Sequence, residues 1–288
     1  MKLSLGTAQF GLKYGVSNTS GQVDRNEVSK ILNLAQNHGI DTLDTAINYG
    51  DSEQRLGEVG LKKWQIVTKL PKFPDKCIDV VSWVKEQVRA SLTRLGVEQL
   101  RGILLHYPYQ LHEAKGKDLW SALQIIKGDG LVRKIGFSVY DPSELDNLWP
   151  NFQPDLVQCP YNILDRRLLS SGWLDRMSDS GVEIHVRSVF LQGLLLISEK
   201  DRPRKFNRWS KIWELWHTWL HDNNITSLEG SLIFVNSNPR INRIIVGIET
   251  LSQLKEILSV KSVRVISFPE ELSILDRELI NPSRWDLI

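Results

Sequence analysis

Residues 42–69 read TLDTAINYGDSEQRLGEVGLKKWQIVTK and contain the pattern that decides the fold. The segment begins and ends with short apolar runs, residues 42–45 and 65–69, that are typical of buried strands. A longer helix-like stretch joins them. Because parallel strands need a crossover connection, a helix between two neighbouring strands indicates parallel pairing.

The same alternation runs from end to end of the 288 residues. Helix-like segments separate eight strand-like runs, and no linker or low-complexity stretch interrupts them. Eight units without a break favour a closed parallel barrel over an open sheet. We therefore expect one (β/α)8 (TIM) barrel domain over residues 1–288, with strands at residues 3–6, 42–45, 65–69, 102–106, 134–139, 155–158, 183–188 and 243–246.

Three of the connecting segments show the apolar spacing of an amphipathic helix, and glycines at positions 39, 96, 128 and 130 follow as stop signals. We expect these apolar faces to cover the barrel. They consist of Val28, Ile31, Leu32 and Ala35, then of Val81, Val84, Val88, Leu92 and Leu95, and then of Leu119, Leu123 and Ile126.

The composition excludes several classes of protein. A net charge of +2 and a pI of 8.4 provide no strong field, so nucleic acid is not an expected partner. Cys77 and Cys159 are unclustered, which suits a reducing compartment and forms no disulfide framework. Residues 1–15 lack a long apolar core, and no run approaches the ~18 apolar residues of a membrane span. We expect a cytoplasmic protein with no membrane partner.

The connection after the seventh strand-like run, residues 188–243, is unusually long. Its basic stretch, residues 199–211 (EKDRPRKFNRWSK), leads into tryptophans at helical spacing. One interpretation is a helix that packs its aromatic face on the barrel behind a solvated loop. The other is a lid over the active site, and the two are compatible. The tryptophans are Trp209, Trp213, Trp216 and Trp219.

Four polar residues follow consecutive strand-like runs, and in a (β/α)8 barrel such residues meet at the rim where active sites lie. Tyr49 can donate a proton to a carbonyl oxygen that becomes an alkoxide. Its unperturbed pKa of about 10 is high for that task, and the ammonium of Lys69 would lower it. Asp44 would hold this lysine, and His106 would orient and polarise the carbonyl.

Each of these residues also has a structural interpretation. A strand-end aspartate is often a helix cap, a tyrosine is often part of the core, and a lone histidine is usually a satisfied structural residue. Their joint placement on consecutive strands favours a catalytic site.

The residues around this tetrad resemble the aldo-keto reductases. Residues 44–57, DTAINYGDSEQRLG, are similar to the DTAxxYGxSExxLG signature of that family, and Lys69 and His106 match its strand-three lysine and strand-four histidine. Residues 130–138 (GLVRKIGFS), 158–162 (QCPYN) and 245–247 (IVG) extend the resemblance over nearly the whole chain. The opening GTAQFGLKYG and closing INPSRW resemble a bacterial subgroup, some members of which accompany sugar or polysaccharide metabolism.

The resemblance implies NADPH or NADH bound across the barrel rim, no metal, and a small-molecule aldehyde, ketone or sugar as substrate. Consistently, the sequence has no GxGxxG motif and no Walker A lysine. By position in the family, the carboxamide of the nicotinamide would contact Ser138 and Gln158, and its ribose Gly6, Thr7 and Asp44. The pyrophosphate would contact backbone amides of residues 188–194, including Ser188, Phe190, Gln192 and Gly193, and the adenosine half would contact Gly247, Ile248, Gln253 and Glu256.

Three positions depart from the family pattern. Val139 replaces an asparagine that commonly contacts the carboxamide. Arg187 replaces a tyrosine that stacks on the nicotinamide; a guanidinium can also stack, although its charge disfavours the cationic oxidised ring, and a structural bridge to a carboxylate is the alternative. Gly247 and Gln253 replace basic residues that grip a 2′-phosphate, and Glu249 lies close by, so the preference between NADP and NAD stays open. Candidate substitutes for those cations are Arg202, Arg204 and Lys205 of the long connection.

The leading functional interpretation is an NAD(P)H-dependent carbonyl reductase or alcohol dehydrogenase. The alternative is a dinucleotide-binding regulatory or redox-sensing protein with little turnover. The intact tetrad of Asp44, Tyr49, Lys69 and His106 favours the enzyme. The departures from the family pattern at Val139 and Arg187 keep the regulatory alternative open. A metal-dependent barrel hydrolase is poorly supported, because the six histidines contain no HxH pair and no metal-ligand cluster is visible in the sequence.

Overall fold

The computed structural model describes residues 2–260 and 266–287. Within them, parallel strands close into a barrel in chain order, from β1 to β8 and back to β1. This is the (β/α)8 architecture that the sequence predicts. The strands are β1 Leu3–Gly6, β2 Thr42–Asp44, β3 Gln65–Leu70, β4 Leu100–Leu105, β5 Val132–Ser138, β6 Leu156–Pro160, β7 Glu183–Arg187 and β8 Arg243–Gly247.

Helices connect the strands and surround the barrel. They are α1 Ala8–Gly11, α2 Arg25–Asn37, α3 Ser52–Val59, α4 Val80–Leu95, α5 Gly116–Gly128, α6 Glu144–Leu148, α7 Arg167–Ser170, α8 Trp173–Asp179, α9 Ser210–Asp222, α10 Ser227–Asn236, α11 Leu251–Ser259 and α12 Arg277–Ile280. Short 3-10 turns occupy Pro108–His112, Glu199–Asp201, Arg204–Trp209, Glu270–Leu272 and Pro282–Leu287. No helix in the described ranges has both the length and the apolar character needed to span a bilayer.

The strands occur where the sequence predicts them, with ends that differ by up to two residues. Strands β4 and β5 begin two residues earlier than expected, and His106 and Val139 lie just beyond strand ends. The second apolar face also differs, because Val80 is buried whereas Val81 is only partly so. Asp79 caps that helix at Ser82 N, and Gly96 ends it in the left-handed conformation (φ 65°).

The main apolar core lies between the barrel and its helices, and a smaller apolar layer of Val67, Leu104 and Leu156 is separate from it. Side chains alternate along each strand, so every second residue points into the barrel. Asp44 and Gly6 are register partners on β2 and β1, and Lys69 and Leu104 are partners on β3 and β4. This register brings the polar residues at the carboxyl ends of the strands to a common rim.

The long connection after β7 contains a helix with a buried aromatic face, as the packing interpretation predicts. In α9, Trp213, Trp216 and Trp219 are all less than a tenth exposed. Trp216 and Trp219 stack with ring centroids 5.5 Å apart, and Trp213 Nε1 donates to the carbonyl of Phe206 at 2.9 Å. Trp209 precedes the helix and instead donates to Asp276 Oδ2 at 2.9 Å. The lid interpretation of this connection stays a prediction.

Candidate active site

The loop between β2 and α3 places Tyr49 at the rim. Ser52 Oγ donates to the backbone carbonyl of Thr7 at 2.9 Å, and Ile47 N donates to the carbonyl of Lys69 at 3.2 Å, so the loop is tied to β3 and to the residue after β1. A Cβ on Gly11 would lie 1.7 Å from the carbonyl oxygen of Tyr49. Only glycine at position 11 therefore permits this path of the chain, which fixes the tyrosine relative to β1.

Lys69 and Asp44 form a buried ion pair beneath Tyr49. Lys69 Nζ lies 2.8 Å from each carboxylate oxygen of Asp44 and 2.8 Å from the carbonyl oxygen of Thr45. The lysine has three N–H donors, and this arrangement uses all of them. Gln158 Nε2 donates to Asp44 Oδ1 at 2.7 Å, and Ser138 Oγ lies 3.4 Å from Gln158 Oε1. The carboxylate thus links the catalytic candidates to the two residues expected at the carboxamide.

The pKa of Tyr49 lies well above its usual value of 10.0. Burial is the main cause, the negative charge of Asp44 adds to it, and the guanidinium of Arg187 opposes it. The sequence-based expectation that Lys69 would lower this pKa was wrong for this arrangement. Lys69 Nζ lies 5.2 Å from the centroid of the tyrosine ring, and its charge is offset by the carboxylate it binds. Tyr49 is consequently a protonated phenol at neutral pH.

His106 lies edge-on to Tyr49, with ring centroids 5.9 Å apart and an interplanar angle of 78°. Burial, followed by the charges of Lys69 and Arg187, lowers the pKa of His106 from 6.5 to about 3. The imidazole is therefore neutral at physiological pH. Its Nδ1 is buried and has no hydrogen-bond partner among the described residues.

A cavity of 470 Å³ opens beside the tetrad, within the size range of small-molecule sites. Its wall includes Asp44 and Tyr49 and extends to residues of α10 and α11. Of the residues that the resemblance assigns to a cofactor, the wall contains Gly6, Thr7, Asp44, Arg187, Ser188, Phe190, Gln192, Gly193, Gly247, Gln253 and Glu256.

Three residues assigned to the cofactor do not line this cavity. Ser138 and Gln158 are about 1% exposed and lie behind Asp44, so a ligand that contacts them must reach past the carboxylate. The side chain of Ile248 is fully buried in the apolar core, so its assignment to the adenosine half stays a prediction that only its backbone could meet. Gly247 ends β8 facing the cavity, and the next residue points the opposite way.

The cavity also has lining residues that the sequence did not predict. Gln9 packs against Gly247, where an added Cβ would lie 2.6 Å from Gln9 Nε2. Tyr14 lines the cavity and accepts a hydrogen bond at its hydroxyl from Gln192 Nε2 at 3.2 Å. Neither residue has a chemical signature that marks it as a ligand contact. The others are Ala8, Ser17, Leu196, Thr226, Ser227, Leu228, Ile245 and Ile257, whereas Val189 lies in the expected pyrophosphate loop and Glu249 close to the expected 2′-phosphate position.

The loop after β7 has an unusual backbone and crosses to the loop after β1. Ser188, Leu191 and Gln192 all have positive φ, at 59°, 49° and 53°, a costly conformation for residues with a side chain. Val16 N donates to the carbonyl of Gln192 at 3.1 Å. Within the loop, the amides of Leu191, Gly193 and Leu194 donate to the loop's own carbonyls. Those three amides already have hydrogen-bond acceptors within the loop. Fewer backbone amides of this loop are therefore free to bind a pyrophosphate than the sequence-based prediction assumes.

Arg187 lines the cavity at the end of β7. Its Nη2 donates to the carbonyl of Val139 at 3.0 Å, its Nη1 donates to Ser188 Oγ at 3.2 Å, and its guanidinium lies 4.6 Å from the ring centroid of Tyr140. Among the described residues it forms no ion pair with a carboxylate. The structural-bridge alternative is therefore not what the structure contains, and a cation faces the cavity beside Tyr49.

The basic residues of the long connection do not reach this cavity. Arg202 is 8% exposed, lies 4.5 Å from the ring centroid of Trp213, and contacts His217 Nε2 at 2.8 Å. Lys205 Nζ donates to the carbonyl of Trp285 at 2.6 Å. Arg204 is exposed and does not line the cavity wall. The expectation that Arg202, Arg204 and Lys205 replace the missing 2′-phosphate ligands is therefore wrong for this structure.

Comparison with known proteins agrees with the geometry. Residues 2–276 match the model of the Aldo/keto reductase family. The chain belongs to this family. Membership makes this aldo/keto reductase an NAD(P)H-dependent oxidoreductase. Within residues 2–260 and 266–287, no three or more His, Cys, Asp or Glu side chains are grouped to hold a metal ion.

Two curated relatives of this aldo/keto reductase act on small dicarbonyl compounds, according to their names. The NADH-specific methylglyoxal reductase of Escherichia coli (strain K12) is 26% identical over 246 residues, which cover 74% of this chain and 71% of the relative. The glyoxal reductase of Bacillus subtilis (strain 168) is 27% identical over 179 residues, covering 60% of this chain and 62% of the relative.

Solved structures share the fold of this aldo/keto reductase. The holo form of an aldo-keto reductase from Bacillus halodurans aligns with a TM-score of 0.72 at 19% identity, over 92% of this chain and 88% of that one. A glycerol dehydrogenase from Gluconobacter oxydans aligns with a TM-score of 0.70 at 19% identity, over 94% of this chain and 88% of that one. At this identity the likeness concerns the barrel alone.

Proposed function

We propose that the protein reduces the carbonyl of a small aldehyde or ketone, or oxidises the corresponding alcohol, with Tyr49 as the proton donor. The observation that carries this proposal is a protonated Tyr49 that lines the open cavity, with a neutral His106 edge-on to its ring. Both can donate a hydrogen bond to a carbonyl oxygen, and donors placed where negative charge develops stabilise the transition state.

The bound nicotinamide would supply or accept the hydride at C4. The chain's own residues would do the rest. Tyr49 would transfer its phenolic proton to the carbonyl oxygen as the oxygen gains charge, and His106 would orient that oxygen. The Lys69–Asp44 pair would hold the floor of the site in place, because every donor of the ammonium is engaged.

The cavity wall supports a dinucleotide of this kind. Gly6, Gly193 and Gly247 all line it, at the ends of β1 and β8 and in the loop after β7. Arg187 supplies a cation next to the expected position of the nicotinamide. Asp44 accepts from Gln158, and this pairing would orient the amide that receives the carboxamide.

The relatives' names suggest which substrates to test first. Methylglyoxal and glyoxal are small dicarbonyl compounds, and a sugar aldehyde such as glyceraldehyde extends the series to hydroxylated substrates. The test is turnover of the purified protein with NADH and with NADPH on this panel, followed through the absorbance of the reduced nicotinamide. We expect reduction of at least one aldehyde. Tight dinucleotide binding with no turnover on any carbonyl or alcohol would favour the regulatory alternative.

A further inference from the structure

The part of the cavity beside α10 and α11 is acidic. We call it the acidic part, and it consists of Thr226, Ser227, Leu228, Glu249, Gln253 and Glu256. Its charged side chains are both carboxylates. Among the described residues that line the cavity, Arg187 is the single cation, and it lies at the catalytic end next to Ser188 and Tyr140. None of the described residues that line the acidic part is a cation.

Glu249 is fixed in this position. It is half-buried, and its backbone N–H donates to Gln253 Oε1 at 2.8 Å. The side-chain amide of Gln253 is therefore held against the backbone of Glu249. Its carboxylate faces the loop after β1, where a Cβ on Gly15 would lie 3.8 Å from Glu249 Oε1. Neither Glu249 nor Glu256 forms an ion pair within the described ranges. Glu249 therefore presents at the cavity a carboxylate that has a hydrogen-bond partner in Gln253 but no cation partner among the described residues.

The two nicotinamide dinucleotides differ only at the 2′ position of the adenosine ribose. NADH carries a hydroxyl there, which a carboxylate can accept as a hydrogen bond. NADPH carries a phosphate with about −1.5 to −2 charges, which a carboxylate repels unless a cation lies between them. With the nicotinamide at Tyr49, the adenosine lies toward α10 and α11, where the wall contains carboxylates and no described cation.

We propose that Glu249 makes this protein selective for NADH and excludes the 2′-phosphate of NADPH. This inference rests on the proposed function for the orientation of the dinucleotide. Gln253 contributes by its lack of charge, since it lies next to Glu249 where a cation would otherwise bind the phosphate. The long connection does not compensate, because Arg202 and Lys205 are engaged elsewhere.

The test is equilibrium binding, measured by tryptophan fluorescence quenching or calorimetry in a mildly alkaline buffer that keeps the carboxylates ionised. We expect the wild-type protein to bind NADH at least about tenfold more tightly than NADPH, since like charges brought together oppose binding. The ratio should shrink as KCl is raised, because salt screens the repulsion. Equal affinities, or tighter NADPH, would overturn the proposal.

Variants identify the residue responsible. The double variant Glu249→Gln/Gln253→Arg should increase the affinity for NADPH by at least about tenfold and change the affinity for NADH much less. Glu214→Gln removes the same charge from the exposed side of α9 and should leave both constants unchanged. An unchanged dissociation constant for NADPH in the double variant would contradict the role of Glu249. It would mean that another part of the cavity distinguishes NADH from NADPH.

ADP-ribose and its 2′-phosphorylated form separate this inference from the proposed function, because neither carries a nicotinamide. Tighter binding of ADP-ribose supports the inference even if no carbonyl compound is ever reduced. Equal binding of the two compounds overturns it even if the protein is an active reductase. Failure to bind either compound, together with failure to bind both dinucleotides, would contradict both proposals.

Discussion

Lys69 donates to both carboxylate oxygens of Asp44 at 2.8 Å, and both side chains are almost fully buried. The pair joins β2 to β3 at the floor of the site. Burying two charges is costly, and the cost is offset only while the charges remain paired and hydrogen-bonded. The carbonyl of Thr45 and the amide of Gln158 complete this set of partners. The pair is thus a fixed support for the residues above it.

Removing one partner should therefore cost more stability than a surface ion pair does. We expect Lys69→Met to lower the free energy of unfolding by about 3–5 kcal/mol, because Asp44 would be left buried and unpaired. Urea denaturation measures this. Lys127, which pairs with Asp155 at the surface, is the matched control, and Lys127→Met should cost about 0–1 kcal/mol. The double variant Lys69→Met/Asp44→Asn should recover part of the loss; equal losses for both lysine variants would contradict this assignment.

The pKa values predict a flat pH profile. Because the pKa of His106 is about 3 and that of Tyr49 is raised above 10.0, neither group changes charge between about pH 5 and 8. The proton donor is lost only as the pH rises through the raised pKa of Tyr49. We expect kcat for carbonyl reduction to be constant over this range, measured with saturating cofactor in overlapping buffers. A titration near pH 6.5 that disappears in His106→Asn would contradict a neutral, buried imidazole.

Most of the barrel could be predicted from the sequence, because a strand–helix repeat leaves few alternative ways to close a parallel sheet. The tetrad could also be predicted, since its members follow consecutive strands. The net effect of the charges of Lys69 and Asp44 on the pKa of Tyr49 could not be predicted. Whether Lys69 lowers the pKa of Tyr49 depends on how many of its donors Asp44 and Thr45 occupy, and that is set by side-chain geometry.

The part of the cavity wall formed by residues after β1 and at the start of α10 was the least predictable part of the site. Gln9 and Tyr14 follow β1, whereas Thr226 caps α10 and Ser227 begins it, more than 200 positions later. Closure of the barrel brings them together, and none has a residue type specific to ligand binding. The burial of the Ile248 side chain could have been predicted, because side-chain alternation continued past the end of β8 places it on the face opposite to Gly247.

The contact between the loops after β1 and β7 should respond to the cofactor. Val16 N donates to the carbonyl of Gln192, and Tyr14 is joined to the same residue, so this contact spans the cavity wall. We expect hydrogen exchange of the Val16 amide to slow when NADH is added, because a ligand beneath the contact stabilises it. Amides within α4 provide the control and should not change. Equal exchange of the Val16 amide with and without NADH would contradict stabilisation of this contact by the cofactor.

Arg187 should set the preference between the two redox states of the cofactor. A positive charge about 4 Å from an oxidised nicotinamide opposes binding by about 4 kcal/mol at an effective dielectric constant of ~20. Stacking and solvent offset much of this repulsion. We expect the reduced cofactor to bind markedly tighter than the oxidised one, and the ratio to shrink in Arg187→Tyr. Since the guanidinium has no described carboxylate partner, the variant leaves no carboxylate unpaired, and it loses only the hydrogen bonds to the Val139 carbonyl and to Ser188 Oγ. An unchanged ratio in that variant would exclude the stacked arrangement.

The proton-donor assignment is tested by kcat for carbonyl reduction in Tyr49→Phe, with the cofactor dissociation constant measured on the same preparation. The substitution removes one hydroxyl and keeps the ring against His106. We predict a fall in kcat of about 10²–10⁴-fold with little change in cofactor affinity, as expected for a lost general acid. Tyr109→Phe, at an exposed tyrosine beyond the cavity wall, should keep wild-type activity. Near-full activity of Tyr49→Phe would contradict the proposed mechanism.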